Sequence, residues 1–263
     1  MEQFVKAVTD INNNINSFAW GPIMLILLVG TGIFLTVRTR CIQVRKFGWI
    51  MKNTIGSVFK KKGQKDSKNL TPFQAMCTAL AGTVGTGNIA GVTGAVFVGG
   101  PGAAFWMWVS AFFGMCTKYA EIALAMKFRE KDAEGAYHGG PMYYIANGLG
   151  RSWTWLAVIF AILGGLASFG IGNISQSSEI AGAVLGLGGL EDQMSTRVII
   201  GVVLAILVAV IIIGGVKRIG QVTSYLVPVM SVFFILAGIV VIIMRITDVP
   251  AAFATIFRES FSM

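Results

Sequence analysis

The sequence predicts an all-α, multi-pass membrane protein, a single membrane domain over residues 1–263. Three observations predict it. Of 263 residues 55% are hydrophobic and only 13% charged, the mean hydropathy is +0.73, and six apolar stretches are each long enough to cross a bilayer. Crossing about 30 Å of hydrocarbon takes about twenty helical residues. This composition excludes a soluble globule. The 33 glycines are scattered through apolar runs without a triplet period, which excludes a collagen-like chain.

The first stretch runs from Phe18 to Val37. The seventeen residues before it are polar and asparagine-rich, with no basic region leading into a short apolar core, so no cleavable signal peptide is expected and the N-terminus is expected outside. Residues 39–69 mix basic residues with Ile42, Val44, Phe47, Trp49, Ile50, Met51, Ile55, Val58 and Phe59. That pattern predicts a basic, interfacial, cytoplasmic segment facing anionic lipid head groups. The formal charge of +9 reports topology: ten of the 21 cations lie between Arg38 and Lys68, and alternating spans place sixteen of them on that same side. The lipid bilayer is therefore the expected partner, and nucleic acid is not.

The remaining stretches run from Thr71 to Val98, Gly102 to Met126, Trp153 to Ala183, Val198 to Val216 and Val222 to Met244, and residues 245–263 read as an external loop. The loop from Lys127 to Gly150 holds His138, the one histidine, which reads as structural. Neither it nor the unpaired Cys41, Cys77 and Cys116 forms a transition-metal site or a disulfide framework. With no HExxH, GxSxG or P-loop lysine motif, the chain is not expected to be an enzyme and needs no organic cofactor.

The second stretch is the informative one. Its centre, from Ala81 to Gly94, carries Gly82, Gly85, Gly87, Gly91 and Gly94 beside Thr83, Thr86 and Asn88. Each glycine costs an isolated helix about 1 kcal/mol relative to alanine, so a discontinuous helix is predicted at about 71–98. Unpaired peptide groups at membrane depth are tolerated only where they face protein or a hydrated cavity. Freed carbonyls suit a cation, and the start of the following half-helix suits a carboxylate. A second reading has Gly87 and Gly91, four apart, simply letting helices approach, although it leaves the polar residues unexplained. Gly85, Gly87 and Gly91 do not make a dinucleotide fingerprint, since the third glycine is one residue late and no strand precedes them.

The fourth stretch crowds Ser168, Asn173, Ser175, Gln176, Ser177, Ser178 and Glu179 into its second half. On an ideal helix Asn173 and Gln176 share a face and point into one cavity, or they make ordinary interhelical hydrogen bonds. Lys118 and Glu121, three apart in the third stretch, predict a structural ion pair.

The run TPFQAMCTALAGTVGTGNIAGVTGAVFVGGPG, then FWMWVSAFFGMCTKYAEIALAMKFR, GGPMYYI, GNISQSSEIA and GGVKRIGQVTSYLVPVM, resembles the alanine or glycine:cation symporter family along nearly the whole chain. The resemblance implies the leucine-transporter fold: residues 71–244 as the first inverted five-helix repeat, preceded by 18–37 as one extra N-terminal helix. It implies sodium-coupled import of alanine or glycine across a bacterial or archaeal plasma membrane, with a proton as the alternative coupling ion. It would put Thr86, Gly87, Asn88, Ile89 and Gln176 at the substrate, and the carbonyls of Ala81 and Val84 at sodium. A second repeat, with its RGLFSNEAG-like motif, does not occur before Met263. The chain is accordingly expected to be a truncated N-terminal half, with residues 245–263 a truncated external loop and a separately encoded C-terminal half as a partner. The alternative is a non-transporting single-repeat protein that needs such a second half.

Overall fold

The computed structural model describes residues 2–58, 70–133, 135 and 137–262. It is almost entirely helical. In chain order the helices are α1 (Glu2–Ala19), α2 (Pro22–Arg38), α3 (Ile42–Arg45), α4 (Phe47–Val58), α5 (Pro72–Thr83), α6 (Ala90–Gly99), α7 (Gly102–Lys127), α8 (Pro141–Leu149), α9 (Thr154–Phe169), α10 (Gln176–Gly188), α11 (Met194–Ile212), α12 (Gly215–Met244) and α13 (Val249–Glu259). The one sheet among the described residues is a short hairpin pairing Glu130 with His138 and Lys131 with Tyr137.

Among the described residues, four helical stretches are long and apolar enough to cross a membrane: Lys6–Arg38, Arg151–Gly188, Met194–Ile212 and Gly215–Met244. The bent pair Phe73–Thr83 and Thr86–Gly99 makes a fifth. The sequence predicts six. The sixth, α7, is present with 26 residues but carries Lys118, Glu121 and Lys127 along its second half.

What the helices bury against one another is mostly small: Gly32, Thr36, Cys77, Cys116, Ala157, Ala181 and Gly220, with Leu185 and Val227 the larger exceptions. Larger apolar side chains point outward, as Phe233 does at 75% exposure. Hydrocarbon is as apolar as leucine, so helices in lipid gain little by burying large side chains and associate instead through close backbone approach and hydrogen bonds. Two contacts show this. Between α5 and α12 the Thr78 and Thr223 hydroxyls meet at 3.1 Å. Between α2 and α7, a β-carbon on Gly32 would lie 3.0 Å from the Phe113 carbonyl oxygen.

Beyond α2 the chain reverses at Arg40 and Cys41, both with positive φ (55° and 51°). The turn is tied down by Cys41 N–H donating to the Thr36 carbonyl (2.8 Å) and by the Cys116 thiol donating to Gln43 Oε1 (2.9 Å). Cys77 and Cys116 are buried packing residues, whereas Cys41 is exposed at this turn. The basic segment then begins as α3 and α4, while Lys60, Lys61, Lys62, Lys65 and Lys68 lie outside the described residues.

Residues 245–263 are not a plain loop. They contain α13, whose Phe253 and Phe257, followed by Phe261, meet Phe105, Trp106 and Trp108 of α7 at ring-centroid distances between 5.4 and 6.1 Å. Trp106 Nε1 donates to the Ser260 carbonyl at 2.9 Å. Apolar residues four apart give the stretch a helical face, a period outweighed at the sequence level by its polar ends.

Gly32→Val should wedge α2 off α7 and cost about 1–3 kcal/mol. Thermal melting in detergent reads this out, and an unchanged midpoint would show that the two helices are not in close contact.

Candidate functional site

α5 starts firmly and stops abruptly. Thr71 Oγ1 accepts from Gln74 N–H (3.2 Å) while Gln74 Oε1 accepts from Thr71 N–H (3.1 Å), a reciprocal cap with Pro72 at the first helical position. The last regular bond runs from Val84 N–H to the Leu80 carbonyl (2.7 Å). Val84 and Gly85 are then extended, Thr86–Asn88 form a single 3₁₀ turn, and α6 leaves at 63° to α5. The turn is held by Asn88 N–H to the Gly85 carbonyl (3.1 Å) and Ile89 N–H to the Thr86 carbonyl (3.0 Å). No backbone bond reaches the carbonyls of Ala81, Gly82 or Val84 across the break, among the described residues. α6 begins without a side-chain cap, so its first amides face the break unspent.

One lost bond is replaced by a side chain: Asn88 Nδ2 donates to the Thr83 carbonyl at 3.1 Å. The Asn88 amide oxygen and its second N–H stay available to a ligand.

The fourth stretch breaks as well, at a place where the sequence suggests only polar crowding. Residues Gly170–Ser175 are wound as a π-helix between α9 and α10. Its wide turns rotate α10 relative to α9. Gln176 consequently lies against the broken helix, where a β-carbon on Gly85 would sit 3.1 Å from Gln176 Nε2. A larger residue here would push the glutamine amide back by a few tenths of an ångström. Asn173 does not share the cavity with Gln176 as an ideal helix would have it; its Nδ2 donates instead to the Ser168 carbonyl at 3.2 Å.

The two breaks line a half-open cavity of about 190 Å³, formed by Gly82, Thr83, Gly85, Thr86, Gly87, Asn88, Ser175 and Gln176. This is below the roughly 300–1,000 Å³ of clefts for drug-sized ligands and suits a small solute. Of the residues the sequence points to, Thr86, Gly87, Asn88 and Gln176 come together here. Ile89 is 55% exposed and outside the lining, as are Ala81 and Val84 one turn and one residue away. Gly87 and Gly91 have nothing within 4 Å of a would-be β-carbon, so neither packs closely against another helix. Ser175, one of several hydroxyls crowded into the fourth stretch, completes the wall with no motif of its own to mark it.

A signal for the second break does exist in the sequence. Thr83-Val84-Gly85-Thr86-Gly87-Asn88-Ile89 and Ser168-Phe169-Gly170-Ile171-Gly172-Asn173-Ile174 are two copies of one pattern, hydroxyl-x-Gly-x-Gly-Asn-Ile. In both, the asparagine amide donates to the carbonyl of the hydroxyl residue five positions earlier.

The charged groups stand apart from this cavity. Lys118 Nζ donates to Glu121 Oε2 at 3.0 Å. His138 Nε2 is 2.9 Å from Asp132 Oδ2, because the hairpin folds residues six apart onto each other. In the loop before α11, the bidentate Arg197 guanidinium holds Asp192 below the usual carboxylate range. Burial pushes the Tyr144 phenol up, and the Glu121 carboxylate adds to it. No group of three or more His, Cys, Asp or Glu side chains is placed to hold a metal ion among the described residues.

The family model described as the sodium:alanine symporter family matches residues 5–263. The chain is 48% identical over 255 residues to the sodium/alanine symporter AgcS of Methanococcus maripaludis, covering 95% of this chain and 54% of that protein. It is 38% identical over 263 residues to the amino-acid carrier protein AlsT of Bacillus subtilis, covering 99% and 52%. To the B. subtilis protein named "Probable sodium/glutamine symporter GlnT" it is 35% identical over 263 residues, covering 99% and 52%. The chain thus spans about half the length of the curated relatives it matches.

Asn88→Ala should cost about 0.5–1.5 kcal/mol by orphaning the Thr83 carbonyl. Thr93→Val, which loses only a hydroxyl bonded back to the Ile89 carbonyl of its own helix (2.8 Å), should stay within about 0.5 kcal/mol. Melting midpoints of the two variants in detergent distinguish them, and equal shifts would contradict the bridging role.

Proposed function

This chain belongs to the sodium:alanine symporter family, and from that premise we propose that it works in sodium-coupled import of a small neutral amino acid, alanine or glycine. The observation that carries this reading is the cavity at the break, which has polar peptide groups and two side-chain amides but no ionisable side chain.

A zwitterion needs both signs of partner at close range. In this reading the unspent amides at the start of α6 and around Thr86 and Gly87 receive the carboxylate, and the oxygens of Asn88 and Gln176 receive the ammonium. Sodium, a hard cation, takes oxygen ligands; the carbonyls of Ala81 and Val84, unclaimed by the backbone ladder, are its assigned donors. Ile89, outside the cavity lining, would reach substrate only if the break closes further. A proton remains the alternative coupling ion.

The assignment to the leucine-transporter fold belongs to the same proposal. The α5–α6 pair, α7, α9–α10, α11 and α12 would be the five helices of one repeat, with α2 as the extra helix before it. A substrate site between repeats is complete only when both are present, and the relatives run to about twice this length. The reading also places the cation-rich residues from Arg38 to Lys52 on the cytoplasmic face of the plasma membrane, against anionic lipid, with the N-terminus outside.

Radiolabelled alanine uptake into proteoliposomes tests the proposal, comparing this chain alone with the chain continued by the second half of the Methanococcus relative. An inward sodium gradient should stimulate uptake by the longer protein, and Asn88→Leu should reduce that uptake by at least about tenfold, the loss expected when a polar ligand partner is removed. Uptake indifferent to sodium, or to this substitution, would contradict it. Absence of uptake from both forms would favour a non-transporting membrane protein.

A further inference from the structure

The two copies of the hydroxyl-x-Gly-x-Gly-Asn-Ile pattern stand 85 positions apart, in different helices, yet each makes the same bond. In an unbroken α-helix the Ser168 carbonyl would accept from the amide of residue 172. The π-helix pairs backbone groups five apart instead of four, so the Ser168 carbonyl lies at the junction of the two windings. Asn173 Nδ2 donates to it there at 3.2 Å. Asn88 does the same for Thr83 at 3.1 Å. Glycines at both intermediate positions of each copy weaken the helix where it must widen or unwind. An asparagine with its short amide arm is suited to this, because it bonds nearby backbone readily.

The consequence for the cavity is geometric. Inserting or removing one residue's worth of winding turns everything downstream by about 100°, the angle between successive residues of a helix with 3.6 residues per turn. Gln176 begins the helix immediately after the π segment. If Gly170–Ser175 annealed into regular α-helix, Gln176 would swing away from Gly85 and the cavity would lose one wall. We infer that Asn173 is a positioning residue: by bonding the Ser168 carbonyl it locks the wide turn that aims Gln176 at the broken helix, without itself lining the cavity. Asn88 combines the same bridging with a place on the cavity wall, so the two copies of the pattern have divided the work differently.

The positioning role stands on the described bonds; its effect on transport rests on the proposed function, and the experiment separates the two. Cysteines introduced as Gly85→Cys and Gln176→Cys, in the chain with Cys41, Cys77 and Cys116 replaced by serine or alanine, report the approach of the two segments through the rate of cross-linking by a short bifunctional maleimide. Against this background Asn173→Asp, which keeps the shape and loses the donor, and Asn173→Leu should each slow cross-linking about tenfold. Asn173→Gln, which retains an amide donor on a longer arm, should keep at least about half of the rate. Melting midpoints measured alongside identify any variant that has simply unfolded. Cross-linking equal in all folded variants would overturn the inference, whatever the transport assay shows. In the transporting form with Gly85 and Gln176 intact, Asn173→Asp should raise KM for alanine about tenfold and leave the maximal rate within about twofold. An equal loss in both, or a fall in maximal rate alone, would also overturn it. Absence of uptake by the unsubstituted protein would defeat the proposed function and leave the cross-linking result to decide the geometry.

Discussion

Inside hydrocarbon a peptide group has no water to turn to, and that single constraint organises this molecule. Regular helices satisfy it trivially. A chain that must also present backbone to a solute has to interrupt its helices while finding substitute partners for each exposed carbonyl and amide. Here the interruptions are concentrated in two places, Val84–Ile89 and Gly170–Ser175, and those places face each other across a small polar cavity. In both, an asparagine side-chain amide donates to the carbonyl five residues before it.

The same constraint explains the packing. With lipid outside, the helices gain little from burying large side chains, and the residues found inside are mostly glycine, alanine, cysteine and threonine, with Leu185 and Val227 the exceptions. Close approach also shapes the cavity: Gly85, with no β-carbon, lets the Gln176 amide lie directly against the unwound backbone. The hydroxyl contact between Thr78 and Thr223 fixes α5 against α12 and so holds one side of the break in place.

Much of this was legible in the sequence and some of it was not. Glycine density with Thr83, Thr86 and Asn88 at mid-span announced the first break, because propensity and polarity pointed the same way. The second break was hidden by its own regularity: a π-helix keeps the appearance of a continuous apolar span, and period-based reasoning pairs Asn173 with Gln176 on one face. Comparing the two Gly-x-Gly-Asn-Ile runs would have exposed it. His138 looked isolated because Asp132, six residues away, approaches only once the hairpin of residues 130–138 forms. The helix α13 was missed because an amphipathic face of three phenylalanines has meaning only beside the aromatic end of α7. The ion pair of Lys118 and Glu121, being local, needed nothing beyond helical spacing.

In the proposed reading the unwound backbone from Val84 to Ile89 and the first amides of α6 grip the amino acid together with its cation. Backbone amide hydrogen exchange of that segment, measured in the sodium-stimulated form with alanine alone, sodium alone and both, addresses it most directly. The account predicts marked slowing at residues 85–91 only when both are present, with α11 unaffected. Exchange at the break that ignores alanine and sodium, while some other helix responds, would contradict it.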